Sequence, residues 1–125
     1  MQNFSVIIPV YKLESPDFLS DAISSIINQS RVPDEIIVVV DGSIGSDLNN
    51  VIENLTDNND VIVIRLKQSV GPGAARHAGI LKSKNNIIAL MDSDDLSRSN
   101  RFENELDILN KENVDVVGGW IEEFN

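Results

Sequence analysis

Residues 87–95 read Ile-Ile-Ala-Leu-Met-Asp-Ser-Asp-Asp. An apolar run suited to a buried strand stops abruptly at Asp92, Asp94 and Asp95, three carboxylates within four positions. Carboxylates this close repel one another, and placing them where a strand leaves the core costs free energy unless a cation or ligand compensates. A strand that ends in acids at its carboxyl end also suggests a fold, because parallel α/β sheets gather their ligands there.

The chain on either side repeats the same grammar. Phe4 to Val10 is a β-branched run with a late proline, as expected of a strand buried on both faces. Ser15, Pro16 and Asp17 then form a helix start: a capping serine, proline at the first helical position and an acid in the first turn. Phe18, Leu19, Ala22, Ile23, Ile26 and Ile27 follow at helical spacing. Ile36 to Val40 is a second strand, stopped by Asp41-Gly42-Ser43. Behind the candidate cap Ser46, Leu48, Val51, Ile52 and Leu55 mark a second helix closed by Asn58 and Asn59.

Val61 to Leu66 is the third strand. Gly71-Pro72-Gly73 opens a helical segment, Ala74 to Lys82, whose small residues allow close approach to a sheet. The fourth strand spans Asn86 to Met91, Phe102, Leu106 and Leu109 mark a fourth helix, and Asp115 to Gly119 begin a fifth strand. Strands alternating with helices predict right-handed βαβ units: an α/β, doubly wound, mainly parallel sheet with helices on both faces, broken off after about five strands. Trp120 and Phe124 read as core or as an interface.

Composition narrows the function. A chain of 125 residues, 42% apolar and 24% charged, fits one soluble domain. A net charge of -10 argues against a general affinity for nucleic acid. Without cysteine, any metal must be held by oxygen or by the single His77, which favours a hard divalent cation. The N-terminus runs straight into a strand with no export signal, so a cytoplasmic setting is expected, and no apolar run approaches the ~20 residues that span a bilayer.

Each constellation also has a structural explanation. The acids at 92–95 fit Mg²⁺ or Mn²⁺, with positions left for substrate phosphates, or they form a solvated loop whose Asp95 or Ser97 caps the next helix. Asp41 sits where nucleotide-binding sheets place a base or ribose acceptor, and equally where a turn selects aspartate. Gly71-Pro72-Gly73-Ala74-Ala75-Arg76 departs from a dinucleotide fingerprint, with arginine in place of the last glycine and the third strand before it. Arg76 is either a diphosphate contact or a surface arginine. His77 reads as a helix residue; Lys12, Glu14 and Asp17 could line the same rim.

Taken together, Ser-Val-Ile-Ile-Pro-Val-Tyr at 5–11, Ile-Ile-Val-Val-Val-Asp-Gly-Ser at 36–43, Gly-Pro-Gly-Ala-Ala-Arg-His-Ala-Gly-Ile at 71–80 and Met-Asp-Ser-Asp-Asp at 91–95 resemble the family 2 glycosyltransferases of GT-A fold. The resemblance covers nearly the whole chain. It implies a donor-binding domain that handles a nucleoside-diphosphate sugar, UDP-sugar above all, and transfers the sugar to an acceptor hydroxyl with inversion in polysaccharide or glycan synthesis. It implies that Pro9, Val10 and Tyr11 place backbone beside the nucleotide, that Asp41 meets the base, that Arg76 lies near base or diphosphate, and that Asp92 and Asp94 form the Asp-x-Asp pair for ribose and metal. Asp95 fills the next acidic position; which of the three ligates Mn²⁺ or Mg²⁺ directly stays open.

The chain departs from the family pattern at Lys12 and His77, where asparagine is usual, at Asp41, where two acids often stand, and at Asn100, near a usual proline. Family members also continue for roughly another domain. The resemblance therefore implies that the saccharide or lipid-linked acceptor site and the general base lie beyond Asn125, that residues 1–125 alone transfer little sugar, and that the full-length protein works at the inner face of a membrane. A broken-off sheet would expose apolar edge, which favours a homodimer. Two other classes fit the acids less well. A receiver-like phospho-acceptor module expects an acid pair after the first strand, where Pro9-Val10-Tyr11 stand, and a nucleotidyltransferase expects a glycine-rich basic loop there.

Overall fold

The computed structural model describes residues 2–58 and 61–119; Asn59, Trp120 and Phe124 lie outside the described residues. In chain order the elements are β1 (Phe4–Val10), α1 (Pro16–Ile27), β2 (Glu35–Asp41), α2 (Ser46–Asn58), β3 (Val61–Leu66), α3 (Pro72–Lys82), β4 (Ile87–Leu90) and α4 (Arg101–Glu112). Every strand pairing is parallel and the sheet order is β3-β2-β1-β4. The chain steps outward from β1 through β2 to β3, then returns to the other side of β1 for β4. Strand order therefore reverses between β1 and β4, and the crevice outside their carboxyl ends is where such sheets bind ligands.

Alternation along β1 builds two cores. Phe4, Val6, Ile8 and Val10 pack with Leu19, Ala22, Ile23 and Ile26 of α1, Leu48 and Ile52 of α2 and Phe102 of α4. On the opposite face, Ile7 joins Ile37, Val39 and Ala75 under α3. Helices thus cover both faces, and β2 is buried along its whole length. Burying each large aliphatic side chain is worth about 1.5–3 kcal/mol, so the α1 face contributes more to the fold than its intrinsic helix propensity.

Local signals set the ends of α1 and α3. The Ser15 hydroxyl accepts from the Phe18 amide at 3.4 Å, with Pro16 and Asp17 in the first turn. Helix α3 starts at Pro72, earlier than the sequence pattern suggests, because proline at its first position lacks an amide the helix would leave unpaired anyway. Its contact with the sheet is very close: a Cβ on Gly79 would lie 2.6 Å from Ile7 Cγ2 and 3.0 Å from Val39 Cγ2.

Below the sheet, the buried Glu35 carboxylate accepts the Ser5 hydroxyl at 2.8 Å and the Lys84 amide at 3.1 Å, which fixes the α3–β4 connection. A shallow hollow of about 510 Å³ opens there, lined in part by Asn3, Asp34, Glu35 and Asn85. Its acids are already engaged, since Asp34 accepts the Phe4 amide and pairs with Arg31.

One expected element does not appear among the described residues. Residues 115–119 form no strand, and the sheet has four strands among the described residues rather than about five. Val116 is 86% exposed. An apolar alternation becomes a strand only when a neighbour supplies its hydrogen bonds and covers one face, and among the described residues neither happens. Helix α4 ends before it at Asn113, in the left-handed conformation with φ 52°.

The close α3 contact makes a specific prediction. Gly79→Ala improves intrinsic helix propensity by about 1 kcal/mol, yet chemical denaturation should show a net loss, and Gly79→Val a loss of about 1–3 kcal/mol or more.

Candidate donor site at the carboxyl end of the sheet

The site begins where β1 and β4 leave the core. Pro9 and Val10 are the last residues of β1; Val10 is fully buried and Pro9 partly so. Tyr11 follows and is 46% exposed, and a turn closed by the Glu14 amide on the Tyr11 carbonyl at 3.1 Å carries the chain toward α1. On the neighbouring strand, the Met91 amide donates to the Ile7 carbonyl at 3.1 Å and extends the ladder one step beyond β4. The loop after Met91 then exposes Asp92, Asp94 and Asp95.

One carboxylate oxygen from each of these acids can be chosen so that all lie within 4.8 Å of one another. Opposite ligands of a hydrated Mg²⁺-sized ion are about 4.2 Å apart, twice the ~2.1 Å bond length. A hard oxygen set of that span suits a divalent cation.

Arg76, on the second turn of α3, reaches across the crevice and donates to Asp92 Oδ1 at 2.8 Å. Two residues singled out separately in the sequence are thus brought together. Both partners are partly exposed, and such a pair is worth only about 0–1 kcal/mol. The guanidinium is available to exchange the carboxylate for a phosphate at little cost.

Asp41 ends β2 with its side chain buried. Its carboxylate accepts the Val70 amide at 2.7 Å, the Gly71 amide at 3.0 Å and the Ser69 hydroxyl at 3.2 Å. Asp41 therefore holds the loop that leads into α3 and Arg76. Gly42 makes this possible, since at φ 85° it occupies left-handed space and a Cβ there would lie 2.9 Å from the Ser69 amide nitrogen.

Glu14 belongs to the cluster as well. Burial raises its pKa above the ordinary 4.5; a hydrogen bond with Ser93 opposes this, and the charges of Asp94, Asp92 and Asp95 add to the rise. Asp95 is raised above 3.8 by burial first, then by Asp92 and Asp94, with Arg101 pulling it back and a hydrogen bond with Asp92 raising it further. Glu14 lies 78 to 81 positions from the acids in sequence, so only its place beyond the first strand hinted at it. Arg101 carried no such hint. Asp17 stays in the first turn of α1, and His77 is exposed on α3.

Comparison with known proteins identifies the family. The model of the family described as "Glycosyl transferase family 2" matches residues 5–125. The chain belongs to glycosyl transferase family 2. Among family 2 relatives, a UDP-Gal:alpha-D-GlcNAc-diphosphoundecaprenol beta-1,3-galactosyltransferase of Escherichia coli is 38% identical over 98% of this chain and 45% of its own length. The amylovoran biosynthesis glycosyltransferase AmsE of Erwinia amylovora is 30% identical over 93% of this chain and 44% of its own. The chain thus spans a little under half the length of these curated relatives. The crystal structure of S. aureus TarS 1-349 in complex with UDP superposes with a TM-score of 0.79 at 21% identity, covering 98% of this chain and 38% of that one, and its UDP-GlcNAc complex gives 0.78. At that identity the likeness shows the GT-A fold.

The raised carboxyls set the sign of a pH effect. Glu14 and Asp95 bind protons more tightly folded than unfolded, so their contribution is fullest below their ordinary values of 4.5 and 3.8 and is lost as pH rises through the folded values. Thermal unfolding of the metal-free chain should show Asp95→Asn raising the midpoint at pH 7 and narrowing its gap from the wild type at pH 3.

Proposed function

We propose that residues 1–125 are the donor-binding portion of a metal-assisted glycosyltransferase that takes a sugar from a nucleoside-diphosphate sugar, a UDP-sugar in the first instance, and passes it to an acceptor hydroxyl with inversion. The observation that carries this reading is the convergence of Asp92, Asp94 and Asp95 with Arg76 in the crevice between β1 and β4. Two relatives support the nucleotide: one whose name specifies UDP-Gal and a fold neighbour crystallised with UDP and UDP-GlcNAc.

In this reading the backbone at Pro9, Val10 and Tyr11 runs beside the nucleotide, Asp41 and the loop it holds wall the base end, and Asp92 meets the ribose. Asp94, Asp92 and Asp95 would hold Mg²⁺ or Mn²⁺, which when bound supplies Lewis-acid neutralisation of the diphosphate. Arg76 leaves Asp92 for the diphosphate and offsets the negative charge that develops on the departing nucleotide. A positioned carboxylate must take the acceptor's proton as it attacks the anomeric carbon. We assign that base, and the saccharide or lipid-linked acceptor site, to the part of the longer relatives that residues 1–125 do not span.

Among the described residues no helix is long and apolar enough to cross a membrane. We place the domain on the cytoplasmic side, at the inner membrane face when the acceptor is lipid-linked, in surface polysaccharide synthesis. Among the described residues β4 is an edge strand, and we place self-association of the isolated chain there.

Calorimetric titration should find UDP binding that tightens with Mn²⁺. Asp94→Ala should remove the Mn²⁺-dependent gain, and Arg76→Ala should weaken binding about 10- to 100-fold, as expected for a lost charged hydrogen bond. No heat and no thermal shift with any nucleoside diphosphate at millimolar concentration, on folded protein, would refute the reading.

A further inference from the structure

The loop that carries the acids is anchored at both ends and, apart from the buried Ser93, exposed between them. At its start, Met91 is buried and hydrogen-bonded to β1. At its finish, residues 97–102 are stitched to α1 and to the turn that follows it. The Ser97 amide donates to Ser25 Oγ at 3.1 Å, the Gln29 side-chain amide donates to the Arg98 carbonyl, the Ser30 amide donates to the Ser99 carbonyl at 2.7 Å, and the Phe102 amide donates to Gln29 Oε1 at 3.1 Å. Phe102 is buried edge-on to Phe4, with ring centroids 5.0 Å apart.

One side chain spans the gap between these anchors. Arg101 Nη2 donates to the Leu90 carbonyl at 3.0 Å, the last residue of β4. Its Nη1 donates to Ser97 Oγ at 3.1 Å and lies 3.4 Å from Met91 Sδ. On its other side the guanidinium meets Glu105, at 2.9 Å from Nε, and the Phe102 ring, 5.0 Å from its centre, while its two terminal nitrogens are held by the loop itself. A planar fork with several donors can hold both ends of a loop at once; a lysine ammonium is a single point charge on a flexible stem.

We propose that Arg101 is a positioning residue for the metal site: it closes the 91–97 loop like a buckle and so fixes the spacing of Asp92, Asp94 and Asp95. The inference rests on the donor-site reading above only for its nucleotide readout. Its positive charge also opposes the repulsion among the acids without ligating the cation.

The alternative is that Arg101 merely stabilises α4 through its i, i+4 pair with Glu105. Three variants of the 125-residue chain separate the two: Arg101→Lys, Arg101→Gln and Glu105→Gln. In the absence of ligand, ¹⁵N relaxation should show lower order parameters at residues 92–96 in both Arg101 variants, with β1 unchanged, and no change in Glu105→Gln. The gain in UDP affinity produced by Mn²⁺ should fall about tenfold in both Arg101 variants, as is usual when the support of a metal ligand is removed. UDP affinity without metal should hold within about twofold, and Glu105→Gln should match the wild type in both.

Unchanged order parameters at 92–96 in folded Arg101 variants overturn the proposal whatever the nucleotide does. Equal loss of metal-free and Mn²⁺-dependent UDP binding, or a Glu105→Gln variant that behaves like the Arg101 variants, overturns it in favour of the structural role. Failure of the donor-site reading shows separately, as absence of UDP binding by the wild type.

Discussion

Negative charge concentrated at one point of the sheet is the constraint around which the upper half of this molecule is arranged. Asp92, Asp94 and Asp95 share a short exposed loop, with Glu14 facing them from beyond β1. Like charges at such spacing destabilise each other by amounts that surface screening reduces but does not remove. Everything around them works against their dispersal: Arg76 pairs with Asp92 from α3, Arg101 lies beside Asp95, and the buried Ser93 hydrogen-bonds Glu14.

The fold supplies the place for that cluster by ordinary packing. Full burial of β1 and β2 puts their carboxyl ends side by side, and the return of β4 to the free side of β1 opens the crevice between them. Helix α3 lies almost in contact with β1 and β2 because Gly79 has no side chain. That close approach, with the loop held by Asp41, carries Arg76 to within reach of Asp92. A bulkier helix would stand further off and leave the acids without their cation.

Much of this was legible in the residues, and the reasons are physical. β1 and α1 announce themselves because burial on both faces demands a continuous apolar run, and because serine, proline and aspartate each satisfy a different need of a helix start. The acids at 92–95 stood out because three carboxylates at the end of an apolar strand serve no packing need. What the sequence hid were partners distant along the chain. Asp41 looked like a turn residue or a base contact, while its donors stand 28 to 30 positions away at Ser69, Val70 and Gly71. Nothing in the sequence marked Arg101, since its contacts with Leu90 and Ser97 depend on how β4 and α4 meet. The strand expected from Asp115 failed for a related reason: alternation specifies a face, but pairing requires a neighbour.

The central claim is that the carboxyl end of the sheet, and no other surface, binds a divalent cation together with a nucleotide. Paramagnetic broadening of the amide spectrum by substoichiometric Mn²⁺ with UDP tests it directly, because the effect falls steeply with distance from the ion. Broadening should centre on residues 91–97, extend to 11–14 and 71–76, and leave Asn3, Glu35 and Asn85 sharp. Broadening centred on that lower hollow, or spread evenly over the acidic surface, would contradict it.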